Sequence, residues 1–403
     1  MAAHDGGLRL QGQEQSVSRA ATGGARSADG LWRHGGVSDV TRSVLVLEDG
    51  SVFHGRGFGA RTVAEAEVVF NTCMTGYQEI ATDASYRGQM VCMTYPLIGN
   101  YGVIDEDSEA SRPWISALIV RDLSAVYSNW RASGHLDAWL ERHGVPAIAD
   151  VDTRALTRRL RSRGAMRAVL APDDGESTRD GRLDRARSVR SLGEQDLIAG
   201  ASTESVFEYS RGVGPTIVVV DCGIKANILR SLAARDTHVI VVPYHASAET
   251  VRAQRPDGIV ISNGPGDPTV LGSIATMVRE LMQDGCPILG ICLGHQLMGM
   301  AVGATTSRLP FGHHGGNHAV RDLADGKVHI TSQNHEFQVD RDSLPPGGGL
   351  RVSSINLNDG SVEGLIHESK PFFSVQYHPE GAPGPRDNQY VFDRFLSLVR
   401  SVT

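Results

Sequence analysis

The sequence predicts an α/β protein in two parts, a β-rich α+β domain followed by a domain with a mostly parallel sheet flanked by helices. Three observations predict it. From Thr216 onward, short Ile- and Val-rich runs ("TIVVVDCG", "THVIVVPYH", "DGIVISNGPGDP", "CPILGICLGHQ") alternate with helix-length amphipathic stretches. That is the pattern of parallel strands covered on both faces. Before residue 171 the apolar runs are shorter and closed by turn residues, as in hairpin-rich β structure. The length, 403 residues, also exceeds what one core usually serves and suits two domains.

Taken in order, residues 1–41 are rich in Gly, Ala, Ser and Arg and nearly lack large apolar side chains. Such a stretch cannot bury enough surface to offset its ordering entropy, so a disordered extension is expected. The first domain is expected over residues 42–170. It opens with "RSVLVLEDGSVFHGRGFG", two apolar runs around Asp49-Gly50, a pair that favours a tight hairpin. Further β-like runs are "EVVFNTCM", "QMVCMTYPLI" and "WISALIV"; "HLDAWLERHG" reads as a helix stopped by Gly144, and "TRALTRRLRSRG" as one capped by Thr153 and stopped by Gly164. Residues 171–214 are charged and poor in large apolar side chains, the composition of a linker or surface excursion. The second domain is expected over residues 215–403, with "KANILRSLAARD", "SAETVRAQRP" and "GSIATMVRELMQDG" as helices between the strands. Shorter β-like pieces follow Gly303, and "NQYVFDRFLSLVRSV" reads as a closing helix.

Composition excludes several function classes. A formal net charge of −7 argues against a general nucleic-acid binder. No apolar run approaches the roughly 18–20 residues that cross a bilayer. The N-terminus has no apolar h-region of a secretory signal. The five cysteines (Cys73, Cys92, Cys222, Cys286, Cys292) form no CxxC pair, so reduced thiols and a cytoplasmic location are expected. No Walker-type phosphate loop occurs, so ATP chemistry is not expected on this chain. "FGHHGGNH" (His313, His314, His318) has glycine-broken spacing unsuited to tetrahedral zinc, and no metal site is expected.

Chemistry concentrates in three places. In "ILGICLGHQ" a buried strand runs into Cys292, flanked by Gly290 and Gly294 and followed by a helix-competent segment. This is the cysteine counterpart of the nucleophile elbow: the glycines permit a sharp turn, and the helix N-terminus faces the sulfur, favouring negative charge there. A lone cysteine after an apolar run is more often a core thiol, so a partner decides the matter. "SVQYHPEG" supplies one. His378 ends an apolar strand, Pro379 stops the ladder, and Glu380 can return to accept a hydrogen bond from the imidazole. "SNGPGDP", Ser262–Pro268, is good turn chemistry by itself; beside the other two it suits a loop whose backbone N–H groups meet a developing oxyanion.

In this order on an α/β sheet, "SNGPGDP", "GICLGHQ" and "QYHPEG" resemble the class I, or triad, glutamine amidotransferases. The resemblance implies a class I glutaminase domain in which Cys292 attacks the glutamine side-chain amide, His378 is base and proton donor, and Glu380 orients the imidazole. The N-terminal half ("EVVFNTCMTGYQEIATDASY", "TYPLIGNYG", "AIADVDTRALTRRLR") and "DCGIKANILRSL", "FGHHGGNH" and "TSQNHEF" are similar to the small subunits of carbamoyl-phosphate synthetases. This resemblance implies that glutamine is held by Ser85, Gly264, Gly266, Leu293, Gln296, Asn334, Glu336 and Phe337. It also implies a heterodimer, or a higher oligomer of heterodimers, with a large subunit that receives ammonia. That partner would use bicarbonate, two ATP and Mg to make carbamoyl phosphate for arginine and pyrimidine synthesis, with no cofactor on this chain. Alternatives are a triad glutaminase serving another synthase, which would not need the N-terminal domain, and a divergent or non-catalytic regulatory paralogue. Departures from the family pattern are Cys73 for a usual Ser, Ala319 for a usual Pro, a shorter inter-domain segment, and Glu336 for a usual Gly. A carboxylate at 336 either crowds or repels the substrate carboxylate or points to solvent, so Glu336→Gly is expected to leave activity unchanged or raise it.

Overall fold

The computed structural model describes residues 42–175 and 178–402. The expected extension over residues 1–41 lies outside the described residues. Among the described residues no helix is long and apolar enough to cross a membrane.

The first domain is built on a closed seven-stranded barrel. Around it run Arg42–Leu47, Val52–Gly59, Pro146–Ala149, Ala117–Ile119, Gln89–Met93, Ala64–Asn71 and Met166–Pro172. The hairpin at Asp49-Gly50 forms as its sequence requires. Gly50 takes φ +86°, and Val44 pairs with His54 and Val46 with Val52. Successive side chains alternate between two apolar clusters, as strand geometry dictates. Val68, Phe70, Met90, Cys92 and Ile119 join one cluster with Leu156 and Leu160 of the helix Thr153–Arg163. Val69, Val91, Met93 and Leu118 join the other with Trp139 and Leu140 of the helix Leu136–Arg142.

The cap of the helix Thr153–Arg163 differs from expectation. Asp152, not Thr153, is the cap: its carboxylate accepts from the Ala155 N–H at 2.9 Å. Thr153 is instead the first helical residue and is buried. Gly164 ends the helix at φ +96°, as expected.

The segment 171–214, expected as a linker, is integrated into the fold. Its first residues belong to the barrel strand Met166–Pro172, and a helix follows over Arg179–Ser188. The helix escapes notice in the sequence because its buried stripe is only Arg182 and Ala186. Ala186 packs on Val169 and Ala171, while the Arg182 guanidinium donates to Asp173 and to the Pro172 carbonyl, both at 3.1 Å. Further on, Phe207–Ser210 pairs with His238–Pro243 as the edge strand of the large sheet.

That sheet has ten strands. Its centre is parallel, in the order His238–Pro243, Thr216–Asp221, Gly258–Ile261, Ile288–Ile291 and Phe372–Val375. Val218, Val220, Ile259 and Ile261 face a cluster with the helices Ala248–Ala253, Gly272–Leu281 and Leu293–Ala301. Ile217, Val219, Val260 and Leu289 face the helices Ala226–Ala233 and Tyr390–Val402. Burial on both faces explains the unbroken apolar runs. Antiparallel strands extend the sheet, ending with Thr306–Asp322 and Val328–Val339. Their register breaks between Arg308 and His313 and again between Gly315 and His318, beside Gly312 at φ +67° and Gly315 at φ +149°.

If Arg179–Ser188 is part of the folded unit, Arg182→Ala should destabilise the chain by about 2 kcal/mol through lost charge-assisted hydrogen bonds. Urea unfolding checks this, and an unchanged midpoint would show that the helix contributes nothing.

Candidate active site

Cys292 alone joins the strand Ile288–Ile291 to the helix Leu293–Ala301. Its backbone sits at φ 53°, ψ −102°, a conformation costing roughly 1–3 kcal/mol that survives only where the surroundings impose it. The flanking glycines act through space and not through positive φ. A Cβ on Gly290 would lie 2.6 Å from the Gly294 carbonyl oxygen, and one on Gly294 would lie 2.1 Å from that of Ile261. The expected sharp turn therefore falls on the cysteine itself, and the glycines let the helix close onto the strand ends.

Parallel pairing places the partner. Gly290 lies opposite Ser374 and Ile291 opposite Val375, so the chain leaving the second strand passes the thiol. The His378 N–H donates to the Ser332 carbonyl at 2.8 Å. Its Nδ1 meets Glu380 Oε1 at 2.7 Å, and its Nε2 is buried without a hydrogen-bond partner. Burial alone would lower the imidazole, but the Glu380 carboxylate, with the nearby Cys292 sulfur, lifts it to about 10 against the opposing charge of Lys225.

Lys225 is a buried member of this cluster that sequence reasoning missed. Its ammonium is 2% exposed and 2.8 Å from Glu380 Oε1. Burial disfavours the charge, yet Glu380, Asp83 and Glu109 outweigh it and hold the ammonium above the ordinary lysine range. In turn burial would raise Glu380, but Lys225 and His378 keep it well below the usual carboxylate range. The available signal was a lysine in "DCGIKANIL", a stretch with no other basic residue.

A pocket of about 340 Å³ opens at Cys292. Ser85, Gly264, Gly266, Gln296, Asn334, Glu336 and Phe337 line it. Leu293 does not: its side chain is 1% exposed and packs in the core beneath the sheet, because the first helical turn points it away from the thiol. Gln89, Leu192, His314 and His335 also line the pocket, and none was legible as a pocket residue. Leu192 belongs to the segment read as a linker. Both Gln296 amide hydrogens are committed internally, to the Phe337 carbonyl at 2.9 Å and Gln376 Oε1 at 3.1 Å. The first domain reaches this site directly. Asn263 donates to Ser85 Oγ at 3.0 Å, and Asn334 donates to Asp83 at 2.8 Å.

Glu336 does not point to solvent. It is 6% exposed, and its carboxylate faces His314 Nε2 at 2.8 Å, Gln89 Nε2 at 3.3 Å and Arg308 at 3.4 Å. Burial would raise this carboxyl, but His314 and Arg308 hold it below the ordinary range. The glycine-broken stretch "FGHHGGNH" brings His313 within 4.8 Å of His335 and Glu363, a set able to hold a metal. Hydrogen bonds already occupy these groups: His313 to Asp359 at 2.7 Å, His335 to the Phe337 carbonyl at 2.8 Å, and Glu363 to Gln333 at 2.8 Å and Asn356 at 2.7 Å.

Comparison with known proteins places this geometry. Residues 45–170 match the carbamoyl-phosphate synthase small chain, CPSase domain, and residues 218–398 match the glutamine amidotransferase class-I family. The carbamoyl phosphate synthase small chain of Symbiobacterium thermophilum is 52% identical over 359 residues, covering 88% of this chain and 97% of that one. The chain belongs to the carbamoyl phosphate synthase small chain family. The small chain of Methanopyrus kandleri is 49% identical over 361 residues (89% of this chain, 99% of the other). A pyrimidine-specific small chain of Lactiplantibacillus plantarum is 44% identical over 359 residues (88% and 95%). Membership of this small-chain family implies a large-subunit partner, and the first-domain match disfavours a glutaminase serving a different synthase.

Two outcomes test the electrostatics. Lys225→Met should destabilise the chain by about 3–5 kcal/mol, because it leaves Glu380 buried without its cation; a loss under about 1 kcal/mol in chemical unfolding would contradict the buried pair. The second concerns pH. His378, raised to about 10 from an ordinary value of about 6.5, contributes stability fully below about pH 6.5 and loses it as pH rises toward 10. Glu380, held low, contributes above about pH 4.3 and loses it on acidification. The Tm gap between wild type and His378→Gln should therefore be widest between about pH 4.5 and 6.5 and shrink toward pH 10. A gap that widens with alkalinity would refute the assignment.

Proposed function

We propose that this chain hydrolyses L-glutamine through a thioester on Cys292 and delivers the ammonia to a large subunit that makes carbamoyl phosphate. One observation carries the reading. A cysteine on a strained elbow lies near enough to raise the basicity of a histidine whose Nδ1 is bound to a buried carboxylate and whose buried Nε2 is otherwise without a partner.

The Cys292 thiol first passes its proton to His378, whose basicity Glu380 raises, and the thiolate sulfur then attacks the side-chain carbonyl carbon of glutamine. Negative charge gathers on the carbonyl oxygen, where backbone N–H groups of the 262–268 loop and of the Leu293 helix start stabilise it. His378 then protonates the amide nitrogen, the C–N bond breaks and ammonia leaves. Water, giving its proton to His378, attacks the thioester; the S–C bond breaks and glutamate is released. Glu380 keeps Nε2 directed at the sulfur and stabilises the imidazolium. Ser85, Gly264, Gly266, Asn334, Glu336 and Phe337 hold the substrate. Gln296, its amide hydrogens committed, offers its carbonyl oxygen, and Leu293 contributes through its backbone.

A second, smaller cavity lies on the first-domain side of His378 and Asn334 and is lined by Asn71, Cys73, Asp83 and Lys225. It shares Asn334 with the pocket at Cys292. The large subunit uses bicarbonate, two ATP and Mg, and its product feeds arginine and pyrimidine synthesis. This chain needs no cofactor for its step. The free cysteines suit a reducing cytoplasm.

Cys292→Ser should lower glutamine-dependent ammonia release by a factor on the order of 10³ or more, measured on the chain purified with its large subunit. Added ammonia should restore carbamoyl phosphate synthesis in that variant complex. Equal hydrolysis by wild type and Cys292→Ser would end the nucleophile assignment.

A further inference from the structure

Among the described residues lining the Cys292 pocket, Glu336 is the one carboxylate, and neither lysine nor arginine joins it there. An amino-acid substrate brings an α-ammonium into this space, and one formally negative side chain is present to meet it.

Position fits as well as charge. The Asn334 carbonyl oxygen lies 3.5 Å from Cys292 Sγ. Glu336 stands two residues further along the same strand, Val328–Val339, a step of about 6.7 Å that returns to the same face. In glutamine three carbon–carbon bonds separate the side-chain carbonyl carbon from the α-carbon. With its amide at the sulfur, the substrate therefore extends its amino end toward the next residue on this face, which is Glu336.

The carboxylate is also kept available. The arginine that reaches it, Arg308, is shared with Glu67 of the first domain and sits closer to Glu67 than to Glu336. One guanidinium thus serves two carboxylates. His314 and Gln89 fix the remaining geometry of Glu336, and a carboxylate with roughly four acceptor sites keeps room for one more donor. His314 in turn contacts Asn334 Oδ1 at 3.0 Å, which ties the position of Glu336 to the strand segment beside the thiol.

We propose that the Glu336 carboxylate binds the α-ammonium of the substrate and selects an α-amino acid amide over the same amide lacking the amino group. The inference rests on the glutaminase reading of Cys292. The experiment measures ammonia release from glutamine and from glutaramate, which has hydrogen in place of the α-ammonium, using the chain purified with its large subunit. Wild type should prefer glutamine strongly. Glu336→Gln, which keeps the shape and removes the charge, should raise KM for glutamine on the order of 10- to 100-fold. Its kcat should change little, and glutaramate turnover should stay the same. Glu336→Gly, expected from sequence to be neutral or activating, should instead lose the same discrimination; it serves as the second variant if Glu336→Gln does not fold. An equal fall for both substrates would overturn the proposal and make Glu336 a purely structural residue. No ammonia from glutamine with the wild-type complex would overturn the glutaminase reading itself, and this inference with it.

Discussion

A buried ammonium holds this site together. Lys225 is buried against Glu380 of the second domain and is held in its charged form by Asp83 and Glu109 of the first as well. Buried ions are costly unless paired and hydrogen-bonded, so each member of the set depends on the others. Glu380 is acidic because Lys225 and His378 are cationic, and His378 is basic because Glu380 is anionic. The orientation of the imidazole at Cys292 is therefore a property of an electrostatic cluster that spans both domains.

The same dependence recurs around the pocket. Asp83 caps the short turn Ala84–Tyr86 through the Ser85 N–H and also accepts from Asn334, beside the thiol. Asn263 supports the Lys225 backbone N–H at 3.1 Å while donating to Ser85. Glu67 from the barrel competes with Glu336 for Arg308. Thr72 meets the His314 carbonyl at 3.1 Å. The barrel thus supplies one wall of the pocket and part of its charge balance, a sufficient physical reason for the two domains to occur on one chain.

Strain is concentrated in one place and supported by packing. Cys292 holds a backbone conformation that L-residues avoid, while Gly290 and Gly294 let the helix Leu293–Ala301 approach the strands closely enough to impose it. Close approach matters chemically: it brings a helix N-terminus and two parallel strand ends to one sulfur, where ligands of parallel sheets collect.

Much of this was legible from residue order. The Asp49-Gly50 hairpin, the alternation of apolar strands with helices after Thr216, and the elbow around Cys292 depend on neighbours a few positions apart, and local sterics and periodicity suffice for them. His378-Pro379-Glu380 belongs to the same class, since the imidazole and its carboxylate are two residues apart. Other features depend on residues that sequence separates widely. Asn334 and Asp83 stand 251 positions apart. Leu192 reaches the pocket from a stretch whose charged composition resembles a linker, because the helix Arg179–Ser188 before it buries an arginine stem and an alanine and not an apolar stripe. Leu293 carries a motif position, yet the helical turn buries its side chain. Glu336 reads as a disruption of its motif until Arg308, His314 and Gln89 are seen around it. By itself the sequence determined the parallel strands, the elbow and the Cys292, His378 and Glu380 motifs, because short-range geometry and residue type decide those. Only the tertiary structure decided which charges are buried, which are shared and which side chains the pocket exposes, because those depend on what distant segments bring within a few ångströms.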